Sequence, residues 1–460
     1  MAETSLGAGL AAWVCRTSFA NIPAEAIAAA NVSSFDCLGV ALLGSTSPIG
    51  RELVVYAEDQ GGHPHCTLLG RRARASTAMA ALVNGAFAHA MDFDNAGGFG
   101  HPAAVLFPAL LALAERHHAS GNALLEAYVI GCEVGLALYY NGGAAKSAYR
   151  QMERGLHATS MFGRIAAAAG AAKLLGLGQG QVAAALGIAA SSSSGLVANF
   201  GTMTKPLHAG FAARDGVMAA ELAARGVTSR LEAPGGGPGL MRSLFGERAA
   251  APERILTRLS RVFLTPFTYA IKRAPTCGFN SSVTESLSTL VRDGRFAAGD
   301  VEAIEIAMDD QDSEVLLYDE PTTALEAKFS VRFNAAVATL RKEQVLFDHG
   351  DEALRDPEIR AVLAKIHVRI EPAGEGKTRN GAVPVRVRLR SGEIIERATP
   401  PAEVEGATTK PLDPDRLAAK FRANAEAVLA ADRVQALRAT WTDLRAIDDV
   451  ATAIALAGGG

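Results

Sequence analysis

Apolar residues recur at helical spacing through the first 265 residues of the chain. Alanine, leucine and glycine dominate from about residue 20 and β-branched runs are few, which favours helices over strands. After Ser120 the pattern is clear, because one apolar stripe is formed by Leu125, Tyr128, Val129, Cys132 and Leu136. Small alanine and glycine side chains let helices approach closely, so we expect residues 1–265 to form a compact bundle of many helices.

The pattern changes after a loop at Glu232–Leu240, whose sequence EAPGGGPGL is rich in glycine and proline. Apolar and charged residues then alternate at 301–308, at 365–370 and from Val383, which is typical of half-buried strands. In the last of these segments Val385, Val387 and Leu389 are expected to face a core and Arg386, Arg388 and Arg390 to face water. Ser391-Gly392 supplies a hairpin turn. Helical segments are predicted between the strands, around 280–292 and 326–342.

Helical spacing returns near the end of the chain. Asp413 before Pro414 is a typical helix start, with Leu417, Phe421 and Val428 on one face. A second helix carries Val434, Leu437, Trp441 and Leu444. The two are too short to form their own core, so they should pack on the first domain. The predicted fold is mainly α, with a large all-helical domain from residues 1–265 and 403–460 and an inserted α+β domain at 266–402.

Composition and charge narrow the possible partners. The chain has 460 residues, of which 49% are hydrophobic, and its net charge is only -3. Nothing in this balance suggests a nucleic-acid or membrane partner. Five scattered cysteines, none in a CxxC pair, indicate reduced thiols and no structural zinc. The first residues carry no basic segment typical of a secretory signal, so we expect a soluble cytoplasmic protein.

A lone lysine marks the first candidate site. The stretch Asn199–Gly210, NFGTMTKPLHAG, places Lys205 among small and hydroxylated residues and just before Pro206, which suits the first turn of a helix. Thr202 and Thr204 offer hydroxyl donors, and a helix N-terminus attracts carboxylates. The stretch predicts an anion-binding pocket, in which Lys205→Ala would weaken binding and leave the fold intact. The alternative is a solvated surface lysine.

A second candidate site is the segment His89–Pro102, HAMDFDNAGGFGHP, which lies between two helical runs. Asp92 and Asp94 are close enough to share a metal, and His89, Asp92 and His101 contain zinc-ligand types. Neither spacing matches a known calcium or zinc signature, so we predict no metal there. Helix capping by one of the aspartates is the structural alternative. The glycines at 97, 98 and 100 indicate a tight bend or a close approach to a ligand.

His157 begins a helical segment that continues to about Leu175. A helix N-terminus disfavours the protonated ring, which helps to keep the histidine a neutral base. The alternative is a histidine satisfied in the core. No GxSxG, Walker A or Rossmann fingerprint occurs in the chain.

Four motifs in this order make the chain resemble the MmgE/PrpD family, namely HAMDFDN with HP shortly after, GTMTKPLHAGFAARDG, KRAPTCG and EAKFSVRF. That family includes 2-methylcitrate dehydratase, cis-aconitate decarboxylase and iminodisuccinate epimerase. The resemblance covers essentially the whole chain. It implies a helical domain made of both chain ends, an inserted α+β lid domain, a homodimer, and an active site between the domains that needs no metal or cofactor.

The resemblance also implies which residues form the site. The family's catalytic positions fall on Asp92, His101, His157 and Lys205, which we therefore expect to converge on one pocket. Lys205 would bind carboxylate with Lys272 and Arg273 from the lid side, His157 would serve as base or acid, and Asp92 with His101 would position and polarise the substrate. The predicted substrate-binding set comprises Asp94, Thr202, Thr204, Lys272, Arg273 and Cys277.

Three positions depart from the family pattern. Asn95-Ala96 stands where decarboxylase-like members have Asp-Thr, and Cys277 follows the KRxP motif without the usual histidine. Phe333 replaces a tyrosine of the lid. Together these changes remove polar groups that protonate or orient a substrate, so the sequence leaves the acid open.

The predicted function is a cofactor-independent lyase that removes a proton next to a carboxylate of a small di- or tricarboxylic acid. A hydro-lyase of the 2-methylcitrate dehydratase type is the first choice. An epimerase or a decarboxylase could use the same site. A non-catalytic binding or scaffold protein is the alternative from another class.

Overall fold

The computed structural model describes residues 5–141, 154–341, 349–372 and 381–459. The chain divides into two compact units, the first made of Met1–Val197, Lys205–Tyr269 and Asp413–Gly460 and the second of Ala198–Thr204 and Ala270–Leu412. The structure is 60% helical and 8% strand, so a mainly α fold with a small α+β part is confirmed.

The unit bounds differ from the predicted domain bounds at three places. Residues 198–204 and 403–412 belong to the second unit, whereas the prediction placed both in the helical domain, and residues 266–269 belong to the first unit, whereas the prediction placed them in the inserted domain. Contacts within the second unit explain this. The Tyr318 hydroxyl donates to the carbonyl of Phe200, and the Ile271 amide donates to the carbonyl of Gly406.

The first unit is a bundle of helices around one apolar core. Its α-helices are Leu6–Arg16, Ala24–Gly44, Pro48–Gln60, Thr77–Ala90, Pro102–Arg116, Gly121–Tyr139, Ala158–Leu174, Gln179–Ser191, Thr204–Ala224, Leu240–Phe245, Pro252–Leu259, Pro414–Ala425, Ala431–Trp441 and Val450–Ile454. A two-residue strand pair, Cys66–Thr67 and Arg74–Ala75, completes it. All five cysteines are free thiols.

The five members of the predicted apolar stripe in the helix Gly121–Tyr139 are all buried, and from Ala127 onward every other side of the helix is buried as well. Leu124, Val134 and Leu138 lie off the stripe and are as buried as its members. Ser120 caps the helix by accepting a hydrogen bond from the Ala123 amide. This helix and Ala24–Gly44 are long and apolar enough to cross a membrane, but 83% of the most apolar stretch of each is buried inside the fold.

Glycines set the distance between the two central helices Gly121–Tyr139 and Ala158–Leu174. A Cβ atom at Gly131 would lie 2.5 Å from the carbonyl oxygen of Ala166, and one at Gly170 would lie 2.7 Å from that of Ala127. Both distances are shorter than atoms can approach. The predicted close packing of small residues is therefore confirmed at this contact.

We expect Gly131→Ala to lower the free energy of unfolding by about 1–3 kcal/mol, because the new methyl group must push two packed backbones apart. Gly180→Ala is the matched control, since no atom lies within 4 Å of its Cβ position and alanine favours a helix. Urea denaturation of both variants measures the difference. Equal stability of the two variants would contradict this account of the helix contact.

The C-terminal helices belong to the first unit, as predicted. Asp413 caps Pro414–Ala425 by accepting from the Asp415 amide, and Phe421 stacks on Phe35 with ring centroids 4.4 Å apart. Trp441 is completely buried. Both helices end earlier than the pattern indicated, so Val428 and Leu444 lie beyond them.

The second unit contains a four-stranded sheet packed with short helices. The sheet order is Ile366–Glu371, Val301–Asp309, Val385–Leu389 and Ile394–Arg397, with the first pair parallel and the others antiparallel. Its helices are Ser281–Arg292, Asp310–Ser313, Ala324–Ala327, Val331–Leu340 and Pro357–Leu363.

The strand predictions are confirmed, including the hairpin. Val385, Val387 and Leu389 are buried while the arginines between them are exposed, and Gly392 adopts φ +90° in the turn. The predicted helix at 326–342 was wrong in part. It is broken before Ser330, whose hydroxyl caps Val331–Leu340, and its last predicted residue lies outside the described residues.

Candidate active site

The loop between Thr77–Ala90 and Pro102–Arg116 is pressed tightly into the first unit. A Cβ at Gly97 would lie 2.1 Å from the Thr268 carbonyl oxygen, and one at Gly100 would lie 2.3 Å from the Thr159 hydroxyl. Both glycines also have positive φ, so the predicted tight bend is confirmed.

The C-terminal helix Pro414–Ala425 holds the same loop from another side. The Lys420 ammonium donates to the carbonyl of Phe93 at 2.9 Å and pairs with the buried Asp36 at 2.7 Å. Phe93 lies between Asp92 and Asp94 in the sequence. The late helix therefore fixes the backbone that carries both carboxylates.

Asp94 joins two histidines. One of its oxygens lies 3.0 Å from His89 Nδ1 and the other lies 2.8 Å from His101 Nδ1. Burial alone would raise the pKa of Asp94, but the two histidines hold it well below its usual range. An ionised carboxylate only accepts hydrogen bonds, so each histidine donates its Nδ1–H. Burial lowers the pKa of His89 to about 3, so this ring is neutral near pH 7 and its Nε2 atom carries no proton.

This geometry gives Asp94 a further role. Both of its oxygens accept from histidines, so it orients two rings, and its predicted contact with the substrate stays a prediction. The capping alternative was wrong for the helix Pro102–Arg116, which His101 precedes without a side-chain cap.

Lys205 lies buried in the first turn of Thr204–Ala224 and forms an ion pair with Asp92 at 2.7 Å. Only 4% of Lys205 is exposed, so the surface-lysine alternative was wrong. His101 Nε2 lies 3.8 Å from the other oxygen of Asp92. Because removing Lys205 would leave a buried carboxylate without its cation, the structure replaces the expectation that Lys205→Ala spares the fold with the prediction that it lowers stability.

His157 precedes the helix Ala158–Leu174 as predicted and anchors to a neighbouring loop. Its amide donates to the Gly195 carbonyl at 3.1 Å, and its ring Nδ1 lies 3.0 Å from Nδ1 of His208. Burial, followed by the positive neighbours His208 and Lys205, places the pKa of His157 well below its usual range. The ring is therefore neutral near pH 7 and able to accept a proton.

The structure brings Asp92, His101, His157 and Lys205 into one cluster. His89 links its two halves, with its ring centroid 4.3 Å from that of His101 and 6.1 Å from that of His157. Its Nε2 atom is buried and makes no hydrogen bond with the described residues. The cluster thus contains four histidines, two carboxylates and one ammonium group, and the catalytic roles of the four remain predictions.

Four members of this cluster have the ligand types of a metal site. The ligand atoms of His89, Asp92, Asp94 and His101 lie within 4.8 Å of one another. In this arrangement Lys205 already neutralises Asp92, and the two oxygens of Asp94 already accept from histidines. These internal contacts compete with a cation, and the absence of a metal requirement stays a prediction.

The other predicted substrate-binding residues all belong to the second unit, and Thr204 is also the first residue of the helix that carries Lys205. Thr202 donates to the carbonyl of Asn199 at 2.8 Å and accepts from the Thr204 amide at 3.2 Å. Arg273 pairs with Glu285 at 2.8 Å and with Glu405 at 3.2 Å, so two carboxylates already neutralise it.

Lys272 and Cys277 are both buried in the second unit. The Cys277 amide donates to the carbonyl of Lys328 at 3.0 Å. Asn95, at the position of the first departure, donates to the Ser33 hydroxyl at 3.0 Å and accepts from the Ala103 amide at 3.4 Å. It ties the loop to the start of the next helix.

Sequence reasoning missed His208 and did not foresee that His89 lies at the centre of the cluster. A signal for His208 was present, because it follows Lys205 by three residues on one helix and therefore lies on the same face. No comparable signal in the sequence shows that Asp94 contacts both His89 and His101, since these contacts depend on the conformation of the loop.

The buried histidines make the free energy of unfolding depend on pH. Burial, with Lys205 next, lowers the pKa of His89 to about 3 and that of His208 to about 4. In the unfolded chain these rings have a pKa of about 6.5, so below that pH the unfolded chain takes up protons that the folded protein does not. Stability should therefore fall between pH 7 and pH 5, by about 2 kcal/mol for each such histidine.

Urea unfolding at pH 7, 6 and 5 measures this dependence. Burial also lowers the pKa of His349 to about 3. The free energy of unfolding of His349→Phe should therefore change less with pH than that of the wild type, by the contribution of one histidine. His63→Phe, at an exposed position, should not. Asp94, whose pKa is also lowered, adds to this fall in the same direction but only below about pH 4, outside this window. Equal stability at pH 5 and pH 7 would contradict the neutral buried rings.

Comparison with known proteins agrees with the motifs. The family descriptions MmgE/PrpD N-terminal domain and MmgE/PrpD C-terminal domain match residues 8–253 and 274–444. The chain is 28% identical to cis-aconitate decarboxylase of Mus musculus over 430 residues, 90% of this chain and 85% of that protein. It is 28% identical to the Homo sapiens enzyme of the same name over 428 residues, 90% of this chain and 86% of that protein.

A fungal relative covers even more of the chain. The cis-aconitate decarboxylase-like protein oryM of Aspergillus oryzae is 27% identical over 481 residues, 99% of this chain and 98% of that protein. The two family matches and these three relatives leave little of the sequence unaccounted for. The chain belongs to the MmgE/PrpD family.

Proposed function

We propose that the protein is a lyase that acts on a small di- or tricarboxylic acid by proton transfer at the carbon next to a carboxylate. One observation carries this proposal: a buried cluster holds neutral histidines beside an ammonium group, at Lys205. Neutral imidazole exchanges protons near pH 7, and a buried cation stabilises the negative charge that develops when a carbon–hydrogen or carbon–carbon bond breaks.

Each residue has a defined task in this proposal. His101 is the first proton carrier: Asp94 accepts its Nδ1–H, and its Nε2 atom lies 3.8 Å from Asp92. His157 is the second proton carrier. Lys205 releases part of its pairing with Asp92 to a substrate carboxylate, and this exchange of one carboxylate for another keeps the buried charge balanced.

Loss of carbon dioxide is the first candidate reaction, because the curated relatives that span 90% or more of the chain carry the name cis-aconitate decarboxylase or a name like it. In such a reaction the carboxylate leaves with its carbon, the bonding electrons stay on the substrate, and an imidazole N–H supplies the proton that replaces it.

Loss of water, as in 2-methylcitrate dehydratase, is the second candidate and was the choice from sequence. The departure at Asn95-Ala96 counts against decarboxylation of the usual substrate, since decarboxylase-like members have Asp-Thr at these two positions. In dehydration one histidine removes the proton and another protonates the departing hydroxyl group. The four imidazole rings of the cluster provide both functions.

A screen of pooled di- and tricarboxylic acids by NMR in deuterated buffer tests the proposal. Carbon dioxide loss, water loss and exchange at the carbon next to a carboxylate each give a different product spectrum. We expect one acid to be converted, and exchange without net conversion would indicate an epimerase instead. Binding without any of the three changes would support a non-catalytic binding protein, and no binding at all would contradict every carboxylate-based function.

A further inference from the structure

His157 and His208 face each other inside the first unit. Their Nδ1 atoms lie 3.0 Å apart, and each residue is only 4% exposed. A hydrogen bond between two ring nitrogens contains one proton, so one Nδ1 donates and the other accepts. The protonation of the two rings is therefore linked.

Burial and charged neighbours keep this pair uncharged. After burial, Lys205 on the helix of His208 disfavours an imidazolium in both rings, and Arg164 on the helix that follows His157 disfavours one in His208. The rings of His89 and His101 oppose a charge on His157 in the same direction. A cation confined to either ring is consequently costly in this buried site. A pair that accepts a proton at one end and releases one at the other avoids that cost.

The backbone around the pair is fixed by hydrogen bonds. Arg164 donates to the carbonyl and the hydroxyl of Ser160 at 2.8 and 2.7 Å, and to the carbonyl of Ser194 at 2.9 Å. The Ser160 hydroxyl donates to the carbonyl of His208 at 3.2 Å, and the Gly195 carbonyl accepts from the His157 amide at 3.1 Å. The two rings thus meet at a set distance.

We propose that His208 is a positioning residue for His157, and that the proton shared by their Nδ1 atoms decides whether Nε2 of His157 acts as a base or as an acid. The positioning role of His208 is argued from the contact between the two rings. The role of Nε2 as base or acid rests on the proposed lyase function.

The proton movements balance in both directions. When Nε2 of His157 takes a proton from the substrate carbon, the bonding electrons remain on that carbon, the Nδ1 proton of His157 moves to Nδ1 of His208, and the Nε2 proton of His208 passes to water. When Nε2–H of His157 protonates a carbon that has lost carbon dioxide, each proton moves the opposite way and water supplies the last one. Neither ring keeps a positive charge after the step.

Two substitutions at His208 test the proposal. His208→Asn places an amide where Nδ1 was, so it keeps a hydrogen bond to His157 but passes no proton onward. His208→Leu keeps an apolar volume and removes the hydrogen bond. In both variants we expect kcat to fall by about a hundredfold, within the range that proton transfer by a positioned side chain contributes, while KM changes little. Thermal unfolding identifies any loss of fold.

Ring-nitrogen NMR and a solvent isotope experiment complete the test. In protein labelled with nitrogen-15 at histidine, one Nδ1 of this pair should be protonated and the other not, whether or not the substrate is known. The dependence of kcat on the deuterium fraction of the solvent should be curved for the wild type, with two protons in motion, and linear for His208→Asn. A merely structural His208 would leave this dependence unchanged.

Two results would overturn the proposal: equal protonation of both Nδ1 atoms, or a wild-type kcat in His208→Asn. If the wild-type protein converts no acid, the lyase function fails, and the nitrogen spectra still decide whether the proton is shared.

Discussion

Lys205→Met should weaken binding of the substrate acid by roughly thirtyfold to a thousandfold. The substitution keeps much of the side-chain volume but removes the charge, and one charge-assisted contact in a desolvated site contributes about 2–4 kcal/mol. It should also lower the free energy of unfolding by about 3–5 kcal/mol, because Asp92 would remain buried without its ammonium partner at 2.7 Å. Isothermal titration and urea denaturation measure the two effects separately.

A double variant separates stability from binding. Lys205→Met with Asp92→Asn removes both charges of the pair, so it should recover most of the lost stability and none of the lost affinity. Lys173→Met is the matched control, since its partner Glu126 lies 3.4 Å away and both side chains are partly exposed; its cost should be under about 1 kcal/mol. Near wild-type affinity in Lys205→Met would show that this lysine does not contact the acid.

Asp94→Asn should lower kcat by about 10²- to 10⁴-fold, with a much smaller change in KM. The amide has nearly the shape of the carboxylate, but one of its two ends is an N–H donor. That end now faces His89 or His101, whose Nδ1 must become the acceptor, which moves the ring proton to Nε2. One base of the cluster is thereby lost with little change in the position of any atom.

Glu115→Gln is the control for Asp94→Asn. Glu115 is a buried carboxylate that accepts from the Thr67 amide and hydroxyl, and it lies at the opposite end of Pro102–Arg116, about 20 Å along the helix from His101. It should cost stability and leave kcat unchanged. Equal kcat for Asp94→Asn and wild type would show that the tautomers of His89 and His101 do not matter for the reaction.

Local patterns predicted the parts of the fold that depend on neighbouring residues. The alternation from Val385 to Leu389 gave the strand, and Ser391-Gly392 gave its turn, because strand faces and tight turns follow from a few adjacent residues. His157 was placed at a helix start for the same reason. The break before Ser330 was missed, since the apolar spacing continues across it and the hydroxyl cap interrupts the helix.

Those local patterns could not predict contacts between residues far apart in the sequence. The pair of Lys205 with Asp92 joins positions 113 residues apart, and the bond of Lys420 to Phe93 joins positions 327 apart. The resemblance to a family pointed to Asp92, His101, His157 and Lys205 as a set. It did not indicate that Asp94 holds two histidine tautomers, because this follows from side-chain geometry.

The fate of the proton at the carbon next to the carboxylate tests the central claim most directly. The converted acid is incubated with the enzyme in deuterated buffer, and the deuterium at that carbon is counted by mass spectrometry in product from wild type and from His157→Phe. The account predicts one solvent deuterium per wild-type product in a decarboxylation, or exchange into recovered substrate in a dehydration, and loss of this signal with loss of turnover in His157→Phe. If His157→Phe incorporates solvent deuterium at the wild-type rate, this result would contradict the assignment of this cluster as the proton-transfer site.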